Sequence, residues 1–200
     1  MKHPELNEDV LYRLIGEFHY PLSHKMYQSP TYWRSRVQSV TYDKFISYIK
    51  KNNIPYIRYV LLENLIDPSA DDNYAIRYAA DGYIEIIKLL LKDERVDPGA
   101  DNNYAIRWSA HEGHTEVVRL LLADERVDPS SNNNYAIREA ANNGYTEIVR
   151  LLLADGRVDP SDNNNEAIRL ATNNCYIKVV RLLLEDKRVD PSAIDNYDIR

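Results

Sequence analysis

Asn103-Tyr104-Ala105-Ile106-Arg107-Trp108-Ser109-Ala110-His111-Glu112-Gly113-His114-Thr115-Glu116-Val117-Val118-Arg119-Leu120-Leu121-Leu122 decides the fold of this chain. Asn103 has the chemistry of an N-cap, which predicts a helix beginning at Tyr104. Ile106 and Ala110 fall on one face of that helix, and the small residues Ala105, Ser109 and Ala110 let a neighbouring helix come close. Gly113 is predicted to end it, because a helix C-terminus commonly needs a left-handed residue. Thr115 is then expected to cap a second helix from Glu116 to about residue 123, with Val117, Val118, Leu120, Leu121 and Leu122 forming a broad apolar face. Val127-Asp128-Pro129 stops it, since the residue before proline avoids the helical region. Residues 130–134 have the composition of a turn.

The same block recurs. Asp-Pro stands at Asp67-Pro68, Asp97-Pro98, Asp128-Pro129, Asp159-Pro160 and Asp190-Pro191, spaced 30, 31, 31 and 31 residues apart. Ile-Arg pairs (Ile76-Arg77, Ile106-Arg107, Ile137-Arg138, Ile168-Arg169, Ile199-Arg200) and triple leucines (89–91, 120–122, 151–153, 182–184) keep the same phase. Such a period means stacked units, each too small to bury its own apolar face. The triple leucines are expected to supply that stacking core, at roughly 1.5–3 kcal/mol for each fully buried side chain.

Gly113 to Leu122 resembles the G-H-x-E-[VI]-V-x-L-L-L segment of ankyrin repeats. The first half departs from the family: Tyr135-Ala136-Ile137-Arg138-Glu139-Ala140-Ala141 stands where T-P-L-H-x-A-A is usual, and the period is about two residues short of the family's 33. The projecting β-hairpin of the family is therefore expected to be shortened. This Asp-Pro-containing subtype is similar to ankyrin arrays of large DNA viruses. The resemblance implies an all-α solenoid of stacked helix-turn-helix units, with a degenerate first repeat at 42–72, repeats at 73–102, 103–133, 134–164 and 165–195, and a partial one at 196–200. That last block opens a further first helix and stops, so a truncated product or a covering partner is expected.

Residues 1–41 read as a separate helical region, either a cap on the first repeat or a degenerate F-box. Leu6-Asn7-Glu8-Asp9-Val10-Leu11-Tyr12-Arg13-Leu14-Ile15 resembles the start of an F-box, and Ser29-Pro30-Thr31-Tyr32-Trp33-Arg34 resembles its ending, with a middle about ten residues too short. The F-box resemblance implies docking to the Skp adaptor of an SCF-type ubiquitin ligase.

Composition narrows the partners. The formal net charge of −6 disfavours general binding to phosphate backbones. There is no run of apolar residues long enough to span a membrane and no secretory signal. The single cysteine, Cys175, and the lack of any glycosylation sequon fit the cytoplasm or nucleus. Sixteen tyrosines against two phenylalanines suit packing layers that stay partly wet.

Comparing units with one another separates constant columns from variable ones. Arg77, Arg107, Arg138 and Arg169 form one arginine ladder; Arg95, Arg126, Arg157 and Arg188 form another. The first is expected to pair across unit boundaries with Asp97, Asp128 and Asp159, as a structural device. The variable columns are candidates for recognition: Tyr78, Asp81, Trp108, His111, Glu112, Glu139, Asn142, Asn143, Asn173 and Asn174. In the ankyrin family these places lie near the concave face that meets partners. Tyr78 and Trp108 are the expected aromatic anchors, since Trp and Tyr are enriched at interface hot spots.

No catalytic or metal chemistry is legible. His111-Glu112-Gly113-His114 has its histidines three apart across a helix-ending glycine, unlike a zinc-protease motif. Residues 97–103 lack the alternating acids and closing glutamate of a calcium loop. Cys175 falls in the column of Gly113 and Gly144 with no base beside it in sequence. The reading is a monomeric, non-catalytic adaptor for another protein, without cofactor or metal.

Overall fold

The computed structural model describes residues 40–192. The F-box-like segment and the partial repeat at 196–200 lie outside the described residues. Those residues form ten helices and no strand, and no helix among them is long and apolar enough to cross a membrane. They fall into two compact units that divide between Asp67 and Pro68.

The first unit holds a helix pair, α1 (Tyr42–Lys50) and α2 (Ile54–Leu62). Thr41 caps α1 by accepting from the Lys44 N–H, and Asn53 caps α2 by accepting from the Tyr56 N–H. Phe45, Ile49, Ile57 and Val60 are fully buried between them.

The second unit repeats one pair four times: α3 (Ala70–Ala79) with α4 (Ile84–Leu91), α5 (Ala100–Glu112) with α6 (Thr115–Leu122), α7 (Ser131–Asn142) with α8 (Thr146–Ala154), and α9 (Asp162–Asn173) with α10 (Ile177–Leu184). The small residues do what their size allows. Ala105, Ser109 and Ala110 are all buried, as are Ile106, Val117 and Val118. Gly113 closes α5 at φ 84°, and the His114 N–H reaches back to the Ser109 carbonyl at 2.9 Å.

The triple leucines divide their work. Only the middle one of each set, Leu90, Leu121, Leu152 and Leu183, is fully buried. The expectation that all three serve the core is corrected by helix geometry: three successive residues span about 200° of the helix circumference, so the outer two must lie at the edge. Leu184 stands 40% exposed.

The helix starts also differ from expectation. Asn103 does not cap α5. It is the last of three consecutive left-handed residues, Asp101 (φ 54°), Asn102 (φ 52°) and Asn103 (φ 59°), that precede the right-handed helix. The same triplet recurs at residues 71–73, 132–134 and 163–165, and every member is Asn or Asp. These are the residues besides glycine that enter the left-handed region most readily. An N–H bond back four residues closes each turn, as from Asn103 to the Gly99 carbonyl at 2.8 Å. Among the described residues no strand ladder forms, so the hairpin expected to be shortened is replaced by these turns. Thr115 is likewise not a cap but the first residue of α6; His114 holds the cap position without a side-chain bond.

The third asparagine ties the start of each first helix to the Asp-Pro loop that follows the second helix. The Oδ1 atoms of Asn73, Asn103, Asn134 and Asn165 accept from the N–H groups of Asp97, Asp128, Asp159 and Asp190 at 2.7–2.8 Å. Asn134 is buried, and its Nδ2 also donates to Asp162 at 2.8 Å.

Two stability tests follow from this packing. Leu121→Ala should lower the unfolding free energy by about 2–5 kcal/mol, and Leu122→Ala by clearly less, in urea titrations of the two variants. Asn134→Ala should cost more than Asn134→Gly. Both orphan the Asp159 N–H, a loss of about 1–3 kcal/mol, but alanine must also hold a left-handed backbone, which costs roughly 1–2 kcal/mol more. Equal midpoints for the two variants would mean the turn carries no such strain.

Candidate interaction face

The left-handed turn aims its carbonyls at the first arginine ladder. Nε of Arg77, Arg107, Arg138 and Arg169 donates to the carbonyls of Asp72, Asn102, Asn133 and Asn164, at 2.8–3.1 Å. Nη2 of each donates to the carbonyl one residue earlier, Asp71, Asp101, Asn132 or Asn163. The guanidiniums also stand near tyrosine faces. Arg77 lies 5.7 Å from the Tyr74 ring and 5.8 Å from Tyr104; Arg107 lies 5.8 Å from Tyr104 and 5.5 Å from Tyr135; Arg138 lies 5.7 Å from Tyr135. These separations are within cation–π range. In the next unit Glu166 stands in the tyrosine column, and Arg138 forms an ion pair with it.

The expected pairing of this ladder with Asp97, Asp128 and Asp159 is not what forms. Arg77 pairs with Asp101 at 2.9 Å instead. The three aspartates are turned into their own loops. Asp97 accepts from the Gly99 N–H, Asp128 from the N–H and hydroxyl of Ser130, and Asp159 from those of Ser161. The Ser130 bonds, chiefly the hydroxyl, hold the Asp128 carboxyl below the usual carboxylate range. An Asp before proline with Ser or Gly two residues on folds back on its own loop and takes its hydrogen bonds there.

The second arginine ladder carries the unit-to-unit tie. Arg126, Arg157 and Arg188 each clasp an aspartate two residues earlier, Asp124, Asp155 and Asp186, through Nε and Nη2 at 2.6–2.9 Å. Their Nη1 atoms reach the carbonyls of Val96, Val127 and Val158 in the preceding unit at 2.6–2.7 Å. Nη2 also reaches the carbonyls of Leu91, Leu122 and Leu153 at the ends of the preceding second helices. The arginine hydrogen bond pushes each aspartate's pKa down against the opposing effect of burial.

Aromatic rings cover the glycine column. A Cβ on Gly113 would lie 2.8 Å from the Tyr145 ring, and one on Gly144 would lie 2.7 Å from Tyr176. Cys175 keeps the left-handed backbone of that column at φ 57°, and its side chain is exposed.

The variable columns form a connected strip across the first helices. Trp108 stacks on Tyr104 at 5.9 Å and lies 5.8 Å from the His111 ring. His111 Nδ1 meets Glu139 at 3.2 Å, and Glu139 accepts from Asn142 at 3.4 Å. Asn142 in turn accepts from Asn174 at 3.0 Å. Asn143 and Asn174 prove to be ties as well as surface: they donate back to the His111 and Asn142 carbonyls of the preceding units. Glu112 and Asn173 are exposed at the C-terminal ends of α5 and α9.

Toward the α3 end the strip hollows into a cleft of about 310 Å³ lined by Tyr74, Arg77, Tyr78, Asp81, Tyr104 and Trp108. Tyr78 lies 6.0 Å from Tyr74 and 5.8 Å from Tyr83. Asp81, 51% exposed, accepts from Trp108 Nε1 at 3.4 Å and lies 3.7 Å from His114. Of the lining residues, Tyr74 and Tyr104 were not singled out by the comparison of columns. Their spacing of four from Tyr78 and Trp108 is the signal that finds them.

Four like helix pairs with ties across the boundaries between them define a helical-repeat solenoid. Residues 106–195 match the family of ankyrin repeats, in three copies. The crystal structure of EF0377, an ankyrin repeat protein, is similar over 78% of this chain and 91% of that one, with a TM-score of 0.64 and 25% identity. No curated protein matches the sequence. Residues 106–195 are thus ankyrin repeats, and the described fold is an all-α ankyrin solenoid. Ankyrin repeats are in general protein–protein interaction modules, typically without catalysis.

The depressed aspartates give a pH prediction. A carboxyl whose folded pKa lies below its unfolded value of about 3.9 contributes stability above that value and loses it as pH falls through the folded pKa. The unfolding midpoint should therefore drop as the pH is lowered below about 4. Asp155→Asn should be less stable than the parent at pH 7 and show a shallower acid slope in thermal melts, since it removes one depressed group.

Proposed function

We propose that this chain is a non-catalytic adaptor that holds a partner protein against the strip formed by the C-terminal ends of α3, α5, α7 and α9. One observation carries the reading. The columns that bury side chains or tie units together are nearly constant from unit to unit, whereas the column after the arginine changes chemistry at each step, Tyr78, Trp108, Glu139 and Leu170, and the helix ends beside it run from Asp81 to His111 and Glu112 before settling on asparagine at Asn142 and Asn173. Packing demands the same residue at each copy. A surface that must match one irregular partner demands a different one.

The strip has the make-up of an interface, with large aromatic side chains at one end and polar groups around them. Asn143 and Asn174 belong to it as supports, because their amides are engaged with backbone carbonyls. The partner's contacts are assigned to Tyr78, Asp81, Trp108, Glu112, Glu139, Asn142 and Asn173.

The test is quantitative affinity capture of the full chain from its native cell, beside a variant carrying Tyr78→Ala, Trp108→Ala, Glu112→Ala and Asn173→Ala. The variant should lose specific partners at least tenfold, since truncating one aromatic hot spot costs about 2 kcal/mol or more. Its thermal midpoint should fall by only a few degrees. Retention of every partner at unchanged affinity by a folded variant would refute this face.

A further inference from the structure

The cleft between α3 and α5 contains two versions of one arrangement, a helical turn apart. In the first, Tyr74 and Tyr104 flank the Arg77 guanidinium, 5.7 and 5.8 Å from the two ring centres, and a carboxylate, Asp101, pairs with it at 2.9 Å. Four residues along each helix the rings recur as Tyr78 and Trp108. The residue four beyond Arg77 is Asp81. The second ring pair lines the same cleft, and Asp81, just past the end of α3, lines it with them.

We propose that the Tyr78–Trp108–Asp81 end of this cleft is a binding site for an arginine side chain of the partner. The proposal rests on the reading of the strip as an interaction face and names the chemistry that face selects. A guanidinium is planar, weakly hydrated and able to stack on an aromatic face while its N–H groups meet a carboxylate. Trp is the strongest cation–π partner among the side chains. Asp81 is half exposed, so an incoming donor can reach it without the strip being rebuilt. It already accepts from the Trp108 indole N–H and faces His114 at 3.7 Å, which holds the carboxylate at the nitrogen edge of the indole. A volume of about 310 Å³ is at the small end of ligand pockets, suited to one side chain rather than a large ligand. Arg77 does not block the site. Its Nε, Nη1 and Nη2 are spent on Asp72, Asp101 and Asp71, and Asp101 balances its charge.

The chain has two tryptophans, Trp33 and Trp108, so the indole N–H resonance of Trp108 is a direct reporter. The full chain is titrated with N-acetyl-arginine N-methylamide and with the citrulline counterpart, which has the same shape and no charge. The arginine probe should shift the Trp108 indole resonance saturably, and citrulline should bind roughly fivefold or more weakly. Asp81→Asn should weaken the arginine probe by a similar factor. An unmoved indole, an equal response to citrulline or an unaltered affinity in folded Asp81→Asn would overturn the site. The citrulline comparison uses the unaltered chain and so holds even where a variant unfolds. If the probe fails while replacement of the strip still releases partners, the arginine site falls and the interaction face stands. If the probe binds and strip replacement releases nothing, the face falls and the site does not.

Discussion

Each of the four repeats of the second unit is anchored by a turn of the disfavoured hand. An L-residue in the left-handed helical region brings its Cβ against the following carbonyl, at roughly 1–2 kcal/mol per residue, and three in succession are rarely seen. Here the strain is reduced by using only Asn and Asp, and is offset by hydrogen bonds to groups the turn itself exposes. Two of its carbonyls receive the arginine five or six residues ahead, and its last asparagine receives the backbone of the following Asp-Pro loop. The turn thus fixes the start of its own first helix and the position of the next unit at once. Loss of either the asparagine or the arginine leaves buried or half-buried polar groups without partners, so the two columns are constant for the same reason.

Cross-unit bonding explains why cooperation between units is required. In the stack each of the four repeats fully buries one leucine of its three, and a carbonyl near the end of the second helix takes a bond from outside its own unit. Arg126, Arg157 and Arg188 supply those bonds from the unit that follows. The clasping aspartate holds each guanidinium in one plane, so less rotamer freedom is lost when the fork meets the carbonyls. The nearest-neighbour interface is therefore polar at its rim and apolar at its centre. With the interface discharged by fixed columns, the flank bearing the C-terminal ends of the first helices is free to vary.

Periodicity made the helix pairs legible from the sequence, and Gly113, Ile106, Ala110 and Leu121 occupy the places their spacing assigns. What failed to follow from sequence was the destination of the polar groups. Asn103 looks like a cap because caps and left-handed turns draw on the same residue types; only the neighbouring Asn and Asp residues, present in all four copies, distinguish the two. The Asp-Pro aspartates look like partners for Arg77 and its equivalents because both columns are constant. Constancy marks a demand but not its object: the aspartates serve Ser or Gly two residues on, and the arginines serve the turn. The strip was visible as variable columns, yet its cleft depends on Tyr74 and Tyr104, which belong to a nearly constant column and so escaped a search for variation.

That tyrosine column, Tyr74, Tyr104 and Tyr135, shows why Tyr rather than Phe is used in such places. Its rings sit between successive guanidiniums, half exposed, so each needs an electron-rich face toward the cation and an edge that tolerates water. Phenylalanine meets the first need and not the second. In the fourth unit the column changes to Glu166, and the arginine before it, while keeping Tyr135 of its own unit, has an ion pair where the earlier arginines have the following unit's ring. The demand at this position is therefore for something that attracts a cation, not for an aromatic ring as such. A π face and a carboxylate are alternative answers to one electrostatic requirement. Tyr78, Trp108 and Asp81 bring both answers into one cleft, which is why an arriving cation, rather than an anion or an apolar side chain, is the group it suits.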